Sequence, residues 1–355
     1  MNSALVERWQ ERIRIAASTK APLRIRGGGT KDFYGEPGAG EVLDTTEYAG
    51  ILDYDPTELV ITARAGTPLA ELETAMAKCG QMLAFEPPHF GEGATLGGAI
   101  AAGLSGPRRA FAGAARDVVL GVRILDGSGE DLTFGGRVMK NVAGFDVARL
   151  MTGAMGTLGV LIDLSLKCLP VPKTETTVTF DLAPADALRR VNEWGGKPVP
   201  ISATCYHAGR LAIRLSGAVP AVEAAARHLA GAPMSDDAAF WRAVREQTLP
   251  FFQSALPLWR LSVRSTAPPC ELAGEQVIEW GGALRWLAAT TAVNPEAIRA
   301  WAMAHGGHAT LFRAEGERAG VFAPLPEPIA ALHRRLKSTF DPAGILNPGR
   351  LYSAF

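Results

Sequence analysis

Three separate clusters of glycine constrain this chain more than any other feature. Gly27, Gly28 and Gly29 lie in "LRIRGGGTKDFYG". Gly91, Gly93, Gly97, Gly98, Gly103 and Gly106 lie in "HFGEGATLGGAIAAGLSGPRR", and Gly153, Gly156 and Gly159 in "LMTGAMGTLGVLIDLSL". Glycine inside a regular element costs about 0.5–1 kcal/mol relative to alanine, so it accumulates where backbone must turn sharply or meet something closely. For the first cluster alone, a tight turn between two strands is sufficient. Three such clusters in one strand-rich stretch point instead to a single long cofactor lying across several loops.

The known phosphate-binding patterns narrow the choice. The nucleotide P-loop needs G-x-x-x-x-G-K-[ST], and no stretch fits; Lys31 follows Thr30 with no helix-like segment after it. The dinucleotide fingerprint G-x-G-x-x-G opens a helix. Here Gly27 and Gly29 are followed by Asp32 at the last glycine position, and "DFYGEPGAG" reads as loop. The strand "LRIR" running into "GGGT" fits an anion nest, in which bare backbone N–H groups wrap a pyrophosphate and Thr30 adds a hydroxyl.

Around these loops the sequence predicts an α+β chain. "LRIR", "EVLDT" and "ELVITARA" read as strands. "TPLAELETAMAKCG" reads as a helix punctuated by Thr67, Pro68 and Gly80. "DVVLGVRILDGSGEDLTF" reads as a hairpin, "FDVARLMTGAMG" as a short helix and "TLGVLIDLSLKCL" as a long buried strand. Pro170 and Pro172 mark a boundary. Beyond it strands alternate with amphipathic helices, the pattern of an antiparallel sheet with helices on one face. At 355 residues about two domains are expected. The expected division is a first domain over 1–172, a cap over 173–330 and a C-terminal segment over 331–355 that returns to the first domain.

Bulk properties exclude several classes. Lys plus Arg and Asp plus Glu number 36 each, so no net charge draws the chain to nucleic acid or acidic membranes. No apolar run reaches the roughly 20 residues that span a bilayer. The N-terminus carries charges throughout and lacks the apolar stretch of a signal peptide. The expected compartment is the cytoplasm, with any membrane association peripheral and through partners. Cys79, Cys168, Cys205 and Cys270 are too dispersed for zinc or iron–sulfur ligation and read as isolated reduced thiols.

The ordered set "RGGGTK", "ATLGGAIAAGLSG", "RDVVLGVRILDGSG", "GTLGVLIDLSLK" and "FDPAGILNPGRLY" resembles the FAD-linked oxidases of the vanillyl-alcohol oxidase type, which carry a PCMH-type FAD-binding domain. The likeness covers nearly the whole chain. "KNVAGFDVARLMTGAMGTLG" and "GGHATLFR" point within that family to the smaller flavin subunits of bacterial glycolate oxidases. The resemblance implies a two-part FAD domain, an α+β cap and non-covalent FAD. It assigns Arg26, Gly27, Gly28, Gly29 and Thr30 to the pyrophosphate loop. Pro88, Thr95, Leu96, Gly97, Gly98, Gly103 and Gly106 would run along the flavin and its phosphates, with Asp117 and Val118 near the adenine. Gly156, Thr157, Gly159 and Val160 would close over the cofactor, and Asn347 would lie beside the isoalloxazine. The implied reaction takes a small 2-hydroxy acid, glycolate, to its keto acid by hydride transfer to flavin. The implied partners are a larger FAD subunit and an iron–sulfur subunit that receives the electrons.

Departures from the family pattern qualify this. Where some relatives tether flavin through a histidine, this chain resembles Thr30. The His-rich acidic motif of catalytic hydroxy-acid members is reduced to His305 and His308 in "AHGGHATLFR", two ligands where metal sites use three or more. No metal is expected and the sequence names no catalytic base. Lys140, Asn141 and Arg149 offer cations for a substrate carboxylate or for the flavin, or are solvated loop groups. Arg108 and Arg109 read as exposed loop charges or as steering groups. Trp241, Trp259, Trp280, Trp286 and Trp301 read first as core. The alternatives to a catalytic subunit are a flavin-carrying assembly or electron-relay subunit and a free-standing FAD oxidase of sugars or alcohols.

Overall fold

A computed structural model describes residues 2–136, 146–316 and 320–353. The chain opens with a helix, Asn2–Thr19, that sequence analysis did not anticipate. Its inward face is Val6, Trp9, Ile13 and Ala16, each at most 4% exposed. These recur at helical spacing beneath the charges that dominate the segment. They pack on Leu23, Leu43, Tyr48, Leu125, Val160 and Ile162, and on Ile345 and Leu346 from the far end of the chain.

The first parallel pair, Leu23–Arg26 with Glu41–Asp44, leads into the glycine loop. Leu23 also bridges Leu346 in parallel, through Leu23 N–H to Ile345 O (2.7 Å) and Asn347 N–H to Leu23 O (2.9 Å). The C-terminal segment is thereby laid beside the first strand. A five-stranded antiparallel sheet follows in the order Ile51–Asp55, Val60–Arg64, Val160–Lys167, Val119–Leu125 and Asp131–Gly135. Its central strand, "VLIDLSLK", buries residues on both faces, which explains its near-continuous apolar run. The helices Leu69–Ala77 and Leu96–Ala102 contribute Leu69, Leu72, Met76, Leu96 and Ile100 to the core of this sheet.

Past Pro170 the chain builds an eight-stranded antiparallel sheet. Its order is Ala232–Pro233, Thr174–Asp181, Arg210–Gly217, Ile201–His207, Gly274–Glu279, Leu284–Ala289, Leu258–Ser262 and His308–Arg313. Alternate residues divide between its faces. Leu211, Ile213, Leu215 and Ile278 meet the helices Pro184–Gly195 and Val219–Leu229. On the same side Trp259, Leu261 and Ala309 meet Pro295–Ala304. The opposite face carries Ala203, Ala212, Val277, Leu284, Trp286 and Phe312. Against it lie the helix Asp237–Glu246 and Tyr34, Leu104 and Met155 from the glycine-rich half. The α+β architecture expected from the sequence is observed, and this second face joins the cap to the first half.

A buried ion network seals that junction. Arg108 Nη2 meets Glu175 Oε1 at 2.6 Å, and Arg214 Nη2 meets Glu86 Oε1 at 2.9 Å. Arg108 and Arg214 are 6% and 5% exposed. The expectation that Arg108 is a solvated loop charge is therefore corrected. Its carboxylate partner Glu175 comes from the cap, and proximity along the chain gives no hint of it. Arg109 stacks on Trp280, its guanidinium carbon 4.4 Å from the ring centroid. Trp241, Trp259, Trp280 and Trp286 are core residues, and Trp301 packs at the edge of its cluster.

Candidate functional site

The first and third glycine loops and the Thr95–Ala102 segment converge on one cleft. Its walls include Arg26, Gly27, Gly28, Gly29, Thr30, Thr95, Gly97, Gly98, Gly156, Gly159 and Asn347. The backbone N–H groups of Gly27, Gly28, Gly29, Thr30 and Lys31 donate to no protein acceptor among the described residues. A row of five unspent amides along a cleft suits the oxygens of a pyrophosphate. Small residues on the facing wall, Gly97, Gly98, Ala101 and Ala102, leave room for a flat ring. The residues present therefore fit FAD.

Local chemistry holds the cleft open. Thr95 caps the helix Leu96–Ala102, its Oγ1 accepting from Gly98 N–H at 3.2 Å. Asn347 spans three segments: its Oδ1 accepts from Ile25 N–H (2.7 Å) and its Nδ2 donates to Met155 O (2.6 Å). Arg24 and Arg26 both pair with Asp32, at 2.9 and 2.7 Å, closing the glycine loop on itself. Lys31 also lines the cleft and donates to His89 O at 3.2 Å. Burial lowers its ammonium pKa to about 8, against the opposing pull of Glu246.

Several residues assigned by resemblance stand elsewhere. Leu96 and Val160 are fully buried core, and Val118 is nearly so. Thr157 is buried, donating its hydroxyl to Ala154 O (2.7 Å). Asp117 turns back on its own short helix, accepting from Ala114 N–H (2.8 Å). Gly103 abuts Gly153, while Pro88 and Gly106 border a second, smaller cavity. Lys140 and Asn141 lie outside the described residues. Arg149 pairs with Asp146 at 3.1 Å on the surface. Sequence reasoning missed Ile25, Lys31, Asp32, Thr45, Met155 and Arg350 on the cleft wall.

The second cavity, about 20 Å³ and so no roomier than one or two waters, lies where the loop holding Pro88 and Phe90 meets the cap sheet. Arg260, Glu279, Trp286 and Phe312 line it from the cap. Lys31 of the cleft wall has its ammonium 5.6 Å from the ring centroid of Phe90, which lines the second cavity. Glu279 is 4% exposed and accepts from Trp286 Nε1 at 2.7 Å. Burial pushes its carboxyl pKa up to about 7; the Trp286 bond and Arg260 pull it down, and Glu86 pushes it up. The Arg260 side chain makes no hydrogen bond or ion pair among the described residues; it stacks on Trp280 at 5.2 Å.

Glu279 has a consequence for stability. The folded chain keeps its proton up to about pH 7, whereas the unfolded chain releases it near 4.5. Stability contributed by the neutral carboxyl is present at low pH and is lost as pH rises through that interval. The variant Glu279→Gln is expected to escape this loss. Its stability relative to the wild type should rise by on the order of 3 kcal/mol across the interval and then level off. Denaturant melts of both chains over that pH range check it; parallel curves would exclude the raised carboxyl.

The histidines form no such site. His305 Nδ1 lies 2.7 Å from Trp301 O with its ring stacked on Trp301, and His308 opens an edge strand. Among the described residues no group of three His, Cys, Asp or Glu side chains is arranged for a metal.

Comparison with known proteins agrees with the class that fold and cleft define. A model of the FAD binding domain matches residues 5–135, and one of the C-terminal domain of FAD linked oxidases matches 325–351. The chain is 49% identical over 343 residues to "Glycolate oxidase subunit GlcE" of Escherichia coli (strain K12), covering 97% of this chain and 96% of that protein. The chain belongs to the PCMH-type FAD-linked oxidoreductases, in the group of that glycolate oxidase subunit. More distantly, it is 32% identical over 165 residues to a D-lactate dehydrogenase of Anaerostipes hadrus, covering 46% of this chain and 34% of that one. It is 30% identical over 166 residues to "Glycolate oxidase subunit GlcD" of Bacillus subtilis, covering 46% and 35%. A solved alkyldihydroxyacetonephosphate synthase shares the fold, with a TM-score of 0.64 and 16% identity over 96% of this chain and 73% of that one.

Proposed function

We propose that this chain is the FAD-binding subunit of a glycolate-oxidising complex. Its near full-length likeness to the Escherichia coli subunit carries this reading. Residues 1–172 form the FAD domain, 173–330 the cap and 331–355 the segment that completes the FAD domain. The amides of Gly27 to Thr30 hold the pyrophosphate, Thr95 to Gly98 border the flavin, and Gly156 and Asn347 close the cleft by backbone contact and loop bracing. Thr30 offers no imidazole for a tether there, so the flavin is bound without a covalent bond. Bound FAD supplies a two-electron acceptor. The protein orients the substrate against it and excludes water with the cap.

Electrons then pass to an iron–sulfur subunit, and a larger FAD subunit completes the assembly. Among the described residues no helix is long and apolar enough to cross a membrane. The complex is cytoplasmic, with any membrane attachment made through its partners. The reduced histidine motif favours a second reading, in which this flavin only relays electrons or supports assembly.

The test is anaerobic addition of glycolate to the purified, FAD-loaded chain. Bleaching of the flavin is the expected result. A bound flavin that stays oxidised alone, with turnover restored only by the partner subunits, establishes the relay reading instead. Failure to bind FAD after reconstitution defeats both.

A further inference from the structure

We propose that the cap governs cofactor affinity through Glu246, which positions Lys31 as the side-chain cation for the FAD pyrophosphate. This rests on the assignment of the glycine-lined cleft to FAD. The first observation is how the cations on the cleft wall are spent. Arg26 is paired with Asp32 at 2.7 Å. Arg350 gives its guanidinium to the carbonyl oxygens of Asp32, Tyr34 and Glu36. Lys31 has no carboxylate within ion-pair distance among the described residues. Its ammonium donates to Thr30 Oγ1 (3.3 Å) and His89 O (3.2 Å). One of its three N–H donors is left for a ligand in the cleft that Lys31 lines. Oxidised FAD carries its charge on the pyrophosphate, and an ammonium binds phosphate as a point charge. The Lys31 backbone amide belongs to the same unspent row, so this residue brings both a dipole and a full charge.

The second observation is the route from the cap to that ammonium. Glu246 ends the cap helix Asp237–Glu246. Its Oε2 accepts from His89 N–H (3.0 Å) and from Phe90 N–H (2.9 Å). The Phe90 N–H and the His89 carbonyl are two ends of one peptide group. Glu246 therefore holds the N–H end while Lys31 donates to the oxygen end. A carboxylate at one end and an ammonium at the other polarise that peptide in the same sense, which strengthens both bonds. Phe90 is held at φ +56°, a backbone region that bulky residues rarely adopt and keep only where neighbours enforce it. The Glu246 bonds enforce it here, together with packing of the Phe90 ring on Phe33 (5.5 Å) and on Phe312 of the cap (6.3 Å). Release of the Glu246 clamp frees the peptide on which Lys31 rests.

The charged and titratable groups around this relay come from three elements. Glu246 and Arg245, paired at 2.7 Å, belong to the cap helix. His89 lies on the loop, with Glu73 3.2 Å from its Nε2. Arg26, Asp32 and Arg350 share the cleft wall with Lys31.

The test is FAD binding by the full chain stripped of flavin, read by calorimetry. ADP serves as a second probe that keeps the pyrophosphate and lacks the ring. At pH 6.5 Lys31→Met is expected to weaken FAD binding by about 10- to 100-fold, the scale of a lost charged hydrogen bond, and ADP binding by the same factor. Lys31→Arg keeps the charge and should retain most of the affinity. Glu246→Ala should weaken FAD binding by about fivefold, and Glu246→Gln, whose amide oxygen still accepts from Phe90 N–H, should recover most of that loss. Wild-type affinity should fall above pH 8, by up to about tenfold per pH unit, because binding must then place a proton on Lys31. The fall should level at the Lys31→Met value, and Lys31→Met itself should show none.

Wild-type affinity in a folded Lys31→Met chain, or a loss confined to FAD with ADP unaffected, overturns the pyrophosphate role. A flat wild-type pH profile does the same and keeps the test decisive if the methionine variant does not fold. A Glu246→Ala chain that binds FAD as the wild type does overturns the part played by the cap. A wild-type chain that binds neither FAD nor ADP overturns the assignment of the cleft instead, so the two failures are distinguishable.

Discussion

A Gly28→Ala chain is expected to lose both flavin and stability, whereas Gly98→Val is expected to lose flavin with only a small loss of stability. The difference lies in what each added carbon meets. A Cβ at Gly28 would stand 1.5 Å from Gly93 O and 2.5 Å from Gly93 C. Those are backbone atoms of the second loop and cannot rotate away. The two loops must part, which costs about 1–3 kcal/mol by the usual scale of overpacking and dismantles the row of amides on Gly27 to Lys31. At Gly98 an added Cβ meets only Thr95 Oγ1, at 3.1 Å. The larger valine side chain projects into the cleft that Gly98 lines. The cost to the fold is then about the 1 kcal/mol of a capping bond weakened at Thr95. The ratio of flavin to protein absorbance after reconstitution, together with thermal melts, separates the two cases. Full flavin content in Gly98→Val would show that the cleft is not where the cofactor lies.

Lys337→Met should destabilise the chain by about 3–5 kcal/mol, the scale for stranding a buried charge. Lys337 lies on the helix Glu327–Phe340 and is 7% exposed. Its ammonium meets Asp341 Oδ2 at 2.6 Å and donates to Thr157 O (2.8 Å) and Leu346 O (2.7 Å). All three of its protons are used. Asp341, 1% exposed, also accepts from Ile345 N–H (3.1 Å) and Leu346 N–H (2.7 Å). This cluster pins the terminal strand that presents Asn347 to the cleft. Denaturant unfolding checks the magnitude. Pairing the substitution with Asp341→Asn should recover part of the loss, because it removes the stranded carboxylate. An unchanged midpoint for Lys337→Met would mean that the pin contributes nothing.

The cleft was legible early because its parts are local signals. "GGGT" after a strand, the Thr95 cap before a small-residue helix and Asn347 after "FDPAGIL" are each readable from neighbours in the chain. The helical spacing of Val6, Trp9, Ile13 and Ala16 was also present, but charged residues on the other three sides hid it. Leu96, Val118 and Val160 belong to motifs assigned to the cofactor, and since their side chains point into the core only their backbone is left to meet it. A motif records a stretch of backbone, whereas the direction of each side chain follows from the helix or strand it joins.

Alone, the sequence determined that three glycine loops, a central buried strand and an α+β cap are present, because turn chemistry and apolar period act over a few residues. The order in which those loops recur carries the family resemblance that implies FAD. Only the tertiary structure decided that Gly28 is glycine because the Gly93 carbonyl lies against it, that Arg108 and Arg214 are buried with glutamates, and that Arg260 and Glu279 share a cavity. Each of those depends on strands far apart in the chain meeting across a sheet face. Burial and charge pairing are properties of that meeting, and no spacing along the chain encodes them.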